Sequence, residues 1–219
     1  MSRRKLAKFE ENYLRKNVIE QGKSIYDQIK GNWNKEVFKN DNPIVLELAC
    51  GNGEYSTGMA SIFPDKNFIG VDIKGDRLWN GSTEAIDNEL NNVAFLRCQI
   101  LNLPNFFEKN EVDEIWIVFP DPRPRSRDAK RRLTHSRFLN IYQNILKNGG
   151  WLRFKTDSFP LFEYTLEELE GIKTSDLEYT KDLYNSDLIE EHYGINTRYE
   201  KMFSKKGFKI NYLKFKFDQ

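Results

Sequence analysis

From Pro43 to Glu170 short β-branched runs alternate with stretches of helical periodicity, and no other feature constrains the fold as tightly. Ile44–Leu48 reads as a strand, followed by the glycine-containing turn ACGNGEYS and a helix to about residue 61. Asn67–Asp72, Val93–Cys98, Val112–Phe119 and Trp151–Thr156 read as four further strands. Helices are expected over 74–90, 134–146 and 159–170, the second stopped by Asn148-Gly149-Gly150. Alternating segments near Leu177 and over Ile210–Phe217 would close the sheet. The expected class is therefore α/β, a mostly parallel seven-stranded sheet with helices on both faces. Ligands of such sheets bind beyond the carboxyl ends of the strands.

At 219 residues the chain suits one domain. Residues 41–219 carry the alternating pattern, whereas 1–40 are polar and read as a mobile basic arm leading into a helix or two, with no strand signal. Hydrophobic residues make up 39%, enough for a globular core. No apolar run approaches the roughly 20 residues of a membrane helix, and the N-terminal segment lacks the apolar centre of a signal peptide. A cytoplasmic protein without membrane contact is expected. Cys50 and Cys98 form no disulfide framework and no zinc-binding spacing, so both are expected as thiols and no metal is expected. Net charge is only +1, but 157–191 holds eleven acids against two bases, while Arg123–Arg137 is strongly basic. A polyanion would meet one face.

The turn after Ile44–Leu48 carries Glu47, Gly51 and Gly53, and Asp72 ends the next strand nineteen positions after Gly53. Glycines let the backbone approach a ligand, and an acid at that strand end can accept from ribose hydroxyls. Both features also occur in NAD enzymes. Glu47 would repel a pyrophosphate yet suit the ammonium of S-adenosylmethionine, and Ser56 replaces the third glycine of GxGxxG, so a methyl donor is the better reading. Gln99, after the third of these strands, can offer its amide to adenine or ribose. Asp121 follows the fourth, framed by Pro120 and Pro122, where a fixed carboxylate can stabilise charge developing on an accepting nitrogen. Behind it Arg123, Arg125, Arg127, Lys130, Arg131 and Arg132 form a cluster suited to phosphates, which makes nucleic acid the expected substrate.

FPDPRPR, KRRL, the later Lys155-Thr156-Asp157 and Thr197-Arg198-Tyr199-Glu200 together resemble the tRNA (guanine-N7-)-methyltransferases, in order from Pro43 to the C-terminus. The resemblance implies a Rossmann-like class I methyltransferase. Its reaction would move a methyl group from S-adenosylmethionine to N7 of a guanine in the tRNA variable loop (position 46), leaving S-adenosylhomocysteine. It implies cofactor contacts from Glu47, Gly51, Gly53, Asp72, Gln99 and Asp121, with Asp121 also catalytic. Substrate contacts are implied for Arg125, Asp157, Thr197, Arg198, Tyr199 and Glu200, while Arg127, Lys130, Arg131 and Arg132 are expected on the RNA backbone. tRNA is the expected partner, and the protein a monomer or homodimer. The chain departs from the family at Ala49 for glycine, Gln99 for aspartate, Arg123 for tryptophan and Asp128 for histidine. Methylation of another RNA, or RNA binding without activity, are the alternatives.

Overall fold

The computed structural model describes residues 3–204, 207 and 209–218. One eight-stranded sheet runs in the order β1-β4-β3-β2-β5-β6-β8-β7. Its strands are β1 (Val18–Ile19), β2 (Ile44–Leu48), β3 (Asn67–Asp72), β4 (Val93–Arg97), β5 (Val112–Val118), β6 (Leu146–Thr156), β7 (Thr174–Thr180) and β8 (Asn211–Phe217). All pair in parallel up to β6, and β8 then lies antiparallel between β6 and β7. The chain reverses strand order between β2 and β5, which opens a crevice at their carboxyl ends.

Helices α1 (Arg3–Leu14), α2 (Glu54–Ile62), α3 (Gly75–Asp87), α4 (Ser136–Ile145), α5 (Phe159–Glu170) and α6 (Arg198–Ser204) cover the sheet. Along β2 the side chains alternate between two cores: Ile44, Leu46 and Leu48 face α4 and α5, whereas Val45 faces α2 and α3. Glu47 shares the second face. The period of two thus delivers a carboxylate to the α2 side of an otherwise apolar strand.

Three expectations are corrected. The sheet has eight strands rather than seven, because Val18–Ile19 pairs with Phe95–Leu96 of β4 at its edge. A two-residue strand is too short to show alternation in sequence. The first 40 residues also dock: Ile29 and Trp33 are fully buried, and Asn12 donates to Gly75 O at 2.7 Å. β6 begins at Leu146, not Trp151, since Leu146 already pairs with Val112 ahead of a bulge. Gly150 is required there, because an added Cβ would stand 2.7 Å from Asp113 O. Among the described residues no helix is long and apolar enough to cross a membrane.

Candidate active site

The turn after β2 takes left-handed backbone at Ala49 (φ 58°), Gly51 (57°) and Gly53 (76°). The two glycines serve different ends. A Cβ on Gly53 would stand 2.5 Å from the Phe95 ring, so packing of α2 and α3 over β4 demands glycine, whereas a Cβ on Gly51 would meet nothing within 4 Å. Gly51 leaves open space for a ligand, and its N–H donates to Asp72 Oδ2 at 3.1 Å. Ala49 holds a conformation that costs an L-residue roughly 1–2 kcal/mol. Ala49→Gly is therefore expected to raise stability by roughly 0.5–1 kcal/mol after the entropy of the unfolded glycine is counted, seen as a melting temperature higher by a few degrees. An unchanged or lower melting point would show that the turn is unstrained.

Glu47 Oε2 accepts from the Ser56 N–H at 2.8 Å and from the Ser56 hydroxyl, capping the start of α2. Ser56, in place of the third glycine, is thus the carboxylate's anchor. Burial pushes the Glu47 carboxyl up to about 8; the Ser56 bonds pull the other way, and the Asp72 and Glu54 charges add to the rise. Both bonds fall on Oε2, which leaves Oε1 for a cation. Beside this loop a cavity of about 300 Å³ is lined by Ala49, Asp72, Ile73, Cys98, Gln99 and Leu133, among others. Apolar walls with one carboxylate at the rim fit an adenosine. Asp72 is 8% exposed and also accepts from Lys74 N at 2.8 Å, while Gln99 stands exposed where β4 has ended.

At the end of β5, the Phe119 N–H donates to Lys155 O at 2.8 Å and continues the β5–β6 pairing into the proline-framed loop. Asp121 and Asp157 therefore stand at neighbouring strand ends. Asp121 is exposed and pairs with Arg123, whose Nε lies 3.1 Å from Oδ2 and whose N–H donates to Oδ1 at 3.3 Å. The departure from tryptophan at 123 thus gives the carboxylate a partner within its own loop. The basic residues divide. Arg125, Arg127, Lys130 and Arg131 are exposed, Arg131 pairing with Asp128 at 3.3 Å. Arg132, expected on phosphate, instead lies 4.2 Å from the centre of the Tyr164 ring and donates to Arg123 O at 3.2 Å, bracing the loop.

Thr197-Arg198-Tyr199-Glu200 starts α6. The Glu200 N–H donates to Thr197 Oγ1 at 3.1 Å, an N-cap. Arg198 pairs with Glu54 at 3.0 Å, the first residue of α2. The Tyr199 hydroxyl donates to Asp157 Oδ2 at 3.1 Å, and its ring packs 5.4 Å from that of Phe119. Glu200 is fully buried, so it does not face a substrate as the resemblance implied. It pairs with Lys155, itself 1% exposed, at 2.8 Å, and accepts from Tyr184 at 2.8 Å, with His192 Nε2 at 3.0 Å. Burial drives the Lys155 ammonium downward. Burial also works against the Glu200 carboxylate, but its donors outweigh it and hold the group below the usual range. Sequence reasoning missed Lys155, Tyr184 and His192. The available signal was a lysine within the buried run LRFKT, which demands a partner.

A family model described as "Putative methyltransferase" matches residues 41–213. The chain is 51% identical to the tRNA (guanine-N(7)-)-methyltransferase of Cytophaga hutchinsonii over 219 residues, covering 99% of each chain. It is 45% identical to that of Bacteroides fragilis, covering 98% of this chain and 86% of the relative. Among solved structures, the 16S rRNA methyltransferase KamB superposes with a TM-score of 0.64 at 16% identity, over 93% of this chain and 99% of that one. A likeness at that identity carries the fold, which is the class I methyltransferase fold.

Proposed function

The chain belongs to the tRNA (guanine-N(7)-)-methyltransferase family, and on that premise we propose that it methylates N7 of a guanine in the tRNA variable loop with S-adenosylmethionine as donor. Residues 41–219 form the methyltransferase domain in this reading, and the cytoplasm is its place. The observation that carries it is the meeting of two halves at one crevice: the Glu47–Asp72 loop with its adenosine-sized cavity, and the paired strand ends bearing Asp121 and Asp157.

When bound, S-adenosylmethionine supplies an electrophilic methyl on a sulfonium. Glu47 would hold its ammonium, Asp72 its ribose hydroxyls and Gln99 its adenine edge. Guanine N7 is nucleophilic without a base, but methylation leaves the purine positively charged. Asp121 and Asp157 accept from the guanine N–H edge and stabilise that charge as it develops. Asp121 exchanges Arg123 to do so, at little cost because an exposed ion pair contributes about 0.2–1 kcal/mol. Arg125, Arg127 and Lys130 meet phosphates. Tyr199, held against Phe119, fixes Asp157, while Lys155 and Glu200 support both from beneath.

Incubation with labelled S-adenosylmethionine and unmodified tRNA transcripts, followed by cleavage at 7-methylguanine, tests the reading. Label at one variable-loop guanine is expected. Label elsewhere would overturn the position, and tRNA binding with no label would leave an inactive RNA-binding protein.

Glu47 adds a pH signature. With its carboxyl at about 8, it is mostly protonated at pH 7 before the cofactor binds and must release that proton to meet an ammonium. Cofactor affinity should thus fall as pH drops from 8 to 6, by up to about tenfold per unit. Calorimetry in buffers of different ionisation enthalpy should show close to one proton released at pH 7. Release that persists in Glu47→Gln would assign the proton elsewhere.

A further inference from the structure

Past Asp157 the carboxyl edge of the sheet continues over the start of β8 and the end of β7. There a groove of about 520 Å³ is lined by Asp157, Phe159, Thr180, Lys181, Lys209 and Asn211, with Asp182. Phe159 opens α5 and is 49% exposed. A single exposed phenylalanine carries no message by itself. This one stands two residues from a carboxylate read as facing the target base, and the Lys181 ammonium lies 5.1 Å from its ring centre. Thr180 and Asn211 end and begin β7 and β8, so the groove is bounded by strand ends and the start of α5 rather than by a free loop.

The strand order gives direction. The adenosine-sized cavity lies at β3 and β4, Asp121 at β5, Asp157 at β6 and the groove at β8 and β7. Cofactor, transferred methyl and target base would then occupy successive strand ends, and the groove is the next place along the same edge. An aromatic ring beside cations is the chemistry that receives a single-stranded base and its phosphates. Lys181 is paired with Glu163 and Lys209 with Asp182, each at 3.0 Å; the side chains of both lysines and Glu163 are exposed and that of Asp182 is half-buried. Such pairs are worth little and yield to phosphate.

We propose that this groove binds the nucleotide beside the target guanine, its base stacked on Phe159 and its phosphates met by Lys181 and Lys209. The proposal rests on the reading of Asp157 as a substrate contact. In titrations of the full chain with unmodified tRNA, Phe159→Ala should weaken binding by roughly tenfold or more, and Phe159→Trp should retain it. Lys181→Ala with Lys209→Ala should reduce the slope of log affinity against log salt by about 1.5, two phosphate contacts being lost. A synthetic stem-loop with an abasic site beside the guanine should cost the unaltered protein the same factor as Phe159→Ala, and cost Phe159→Ala nothing further. Affinities within twofold for Phe159→Ala, or an abasic penalty undiminished in that variant, would overturn the subsite. 7-Methylguanine formed at normal rates in that case would leave the proposed reaction standing. A stacking penalty seen without any methylation would keep the subsite and remove the reaction.

Discussion

Asp121→Asn is expected to lower the methylation rate constant by about 10²–10³-fold while tRNA and cofactor affinities stay within about threefold. Asparagine keeps the size and the proline frame but offers no negative charge to the methylated purine. The loop itself needs a control, because Asp121 also holds Arg123 through an ion pair at 3.1 Å and a backbone bond at 3.3 Å. Arg123→Ala breaks that ion pair yet keeps the carboxylate. Its rate should remain within about fivefold of the unaltered protein, the equivalent of an exposed ion pair. Single-turnover rates with saturating tRNA measure both. Equal losses in the two variants would mean that loop order, not charge at 121, carries the effect. A parallel loss of tRNA affinity in Asp121→Asn would make the residue a binding contact instead.

Glu200→Ala should destabilise the fold by about 3–5 kcal/mol, because it strands a buried ammonium on Lys155 and removes the acceptor of Tyr184. A melting temperature lower by roughly 6–20 °C is the expected reading. Stability alone does not describe this pair, since Lys155 also lies 5.4 Å from the Phe119 ring and Glu200 adjoins Tyr199, which donates to Asp157. Lys155→Met combined with Glu200→Leu removes both charges and should recover most of the lost stability. Its catalytic rate should nevertheless stay at least about tenfold low, with tRNA affinity within about threefold, because orientation of reacting groups is sensitive to small displacements. Full activity in the double variant would reduce the pair to a structural role. A large loss of tRNA affinity with normal turnover would restore Glu200 as a substrate contact.

The central strands were legible because β2, β3 and β5 are buried runs of Ile, Val and Leu bounded by turn residues, and the helices between them keep their period. Legibility failed where the signal is too short or is long-range. Val18–Ile19 has two residues in which to alternate. The start of β6 was hidden because Asn148-Gly149-Gly150 stops helices and forms bulges equally well, and only pairing of Leu146 with Val112 decides between them. Glu200 sits 45 residues from Lys155, and although the buried lysine demands a partner, nothing local says which residue it is.

Sequence by itself determined the alternation of strands and helices from Ile44 onward and the stations of Glu47, Asp72, Asp121 and Asp157 near strand ends, because backbone periodicity is a local property. Tertiary structure alone decided which charges are in water. Asp121 remains exposed with Arg123, Arg132 turns to Tyr164, and Glu47 and Glu200 are desolvated against Ser56 and Lys155. Desolvation depends on what other segments pack above a group, and that packing joins residues the linear order keeps far apart.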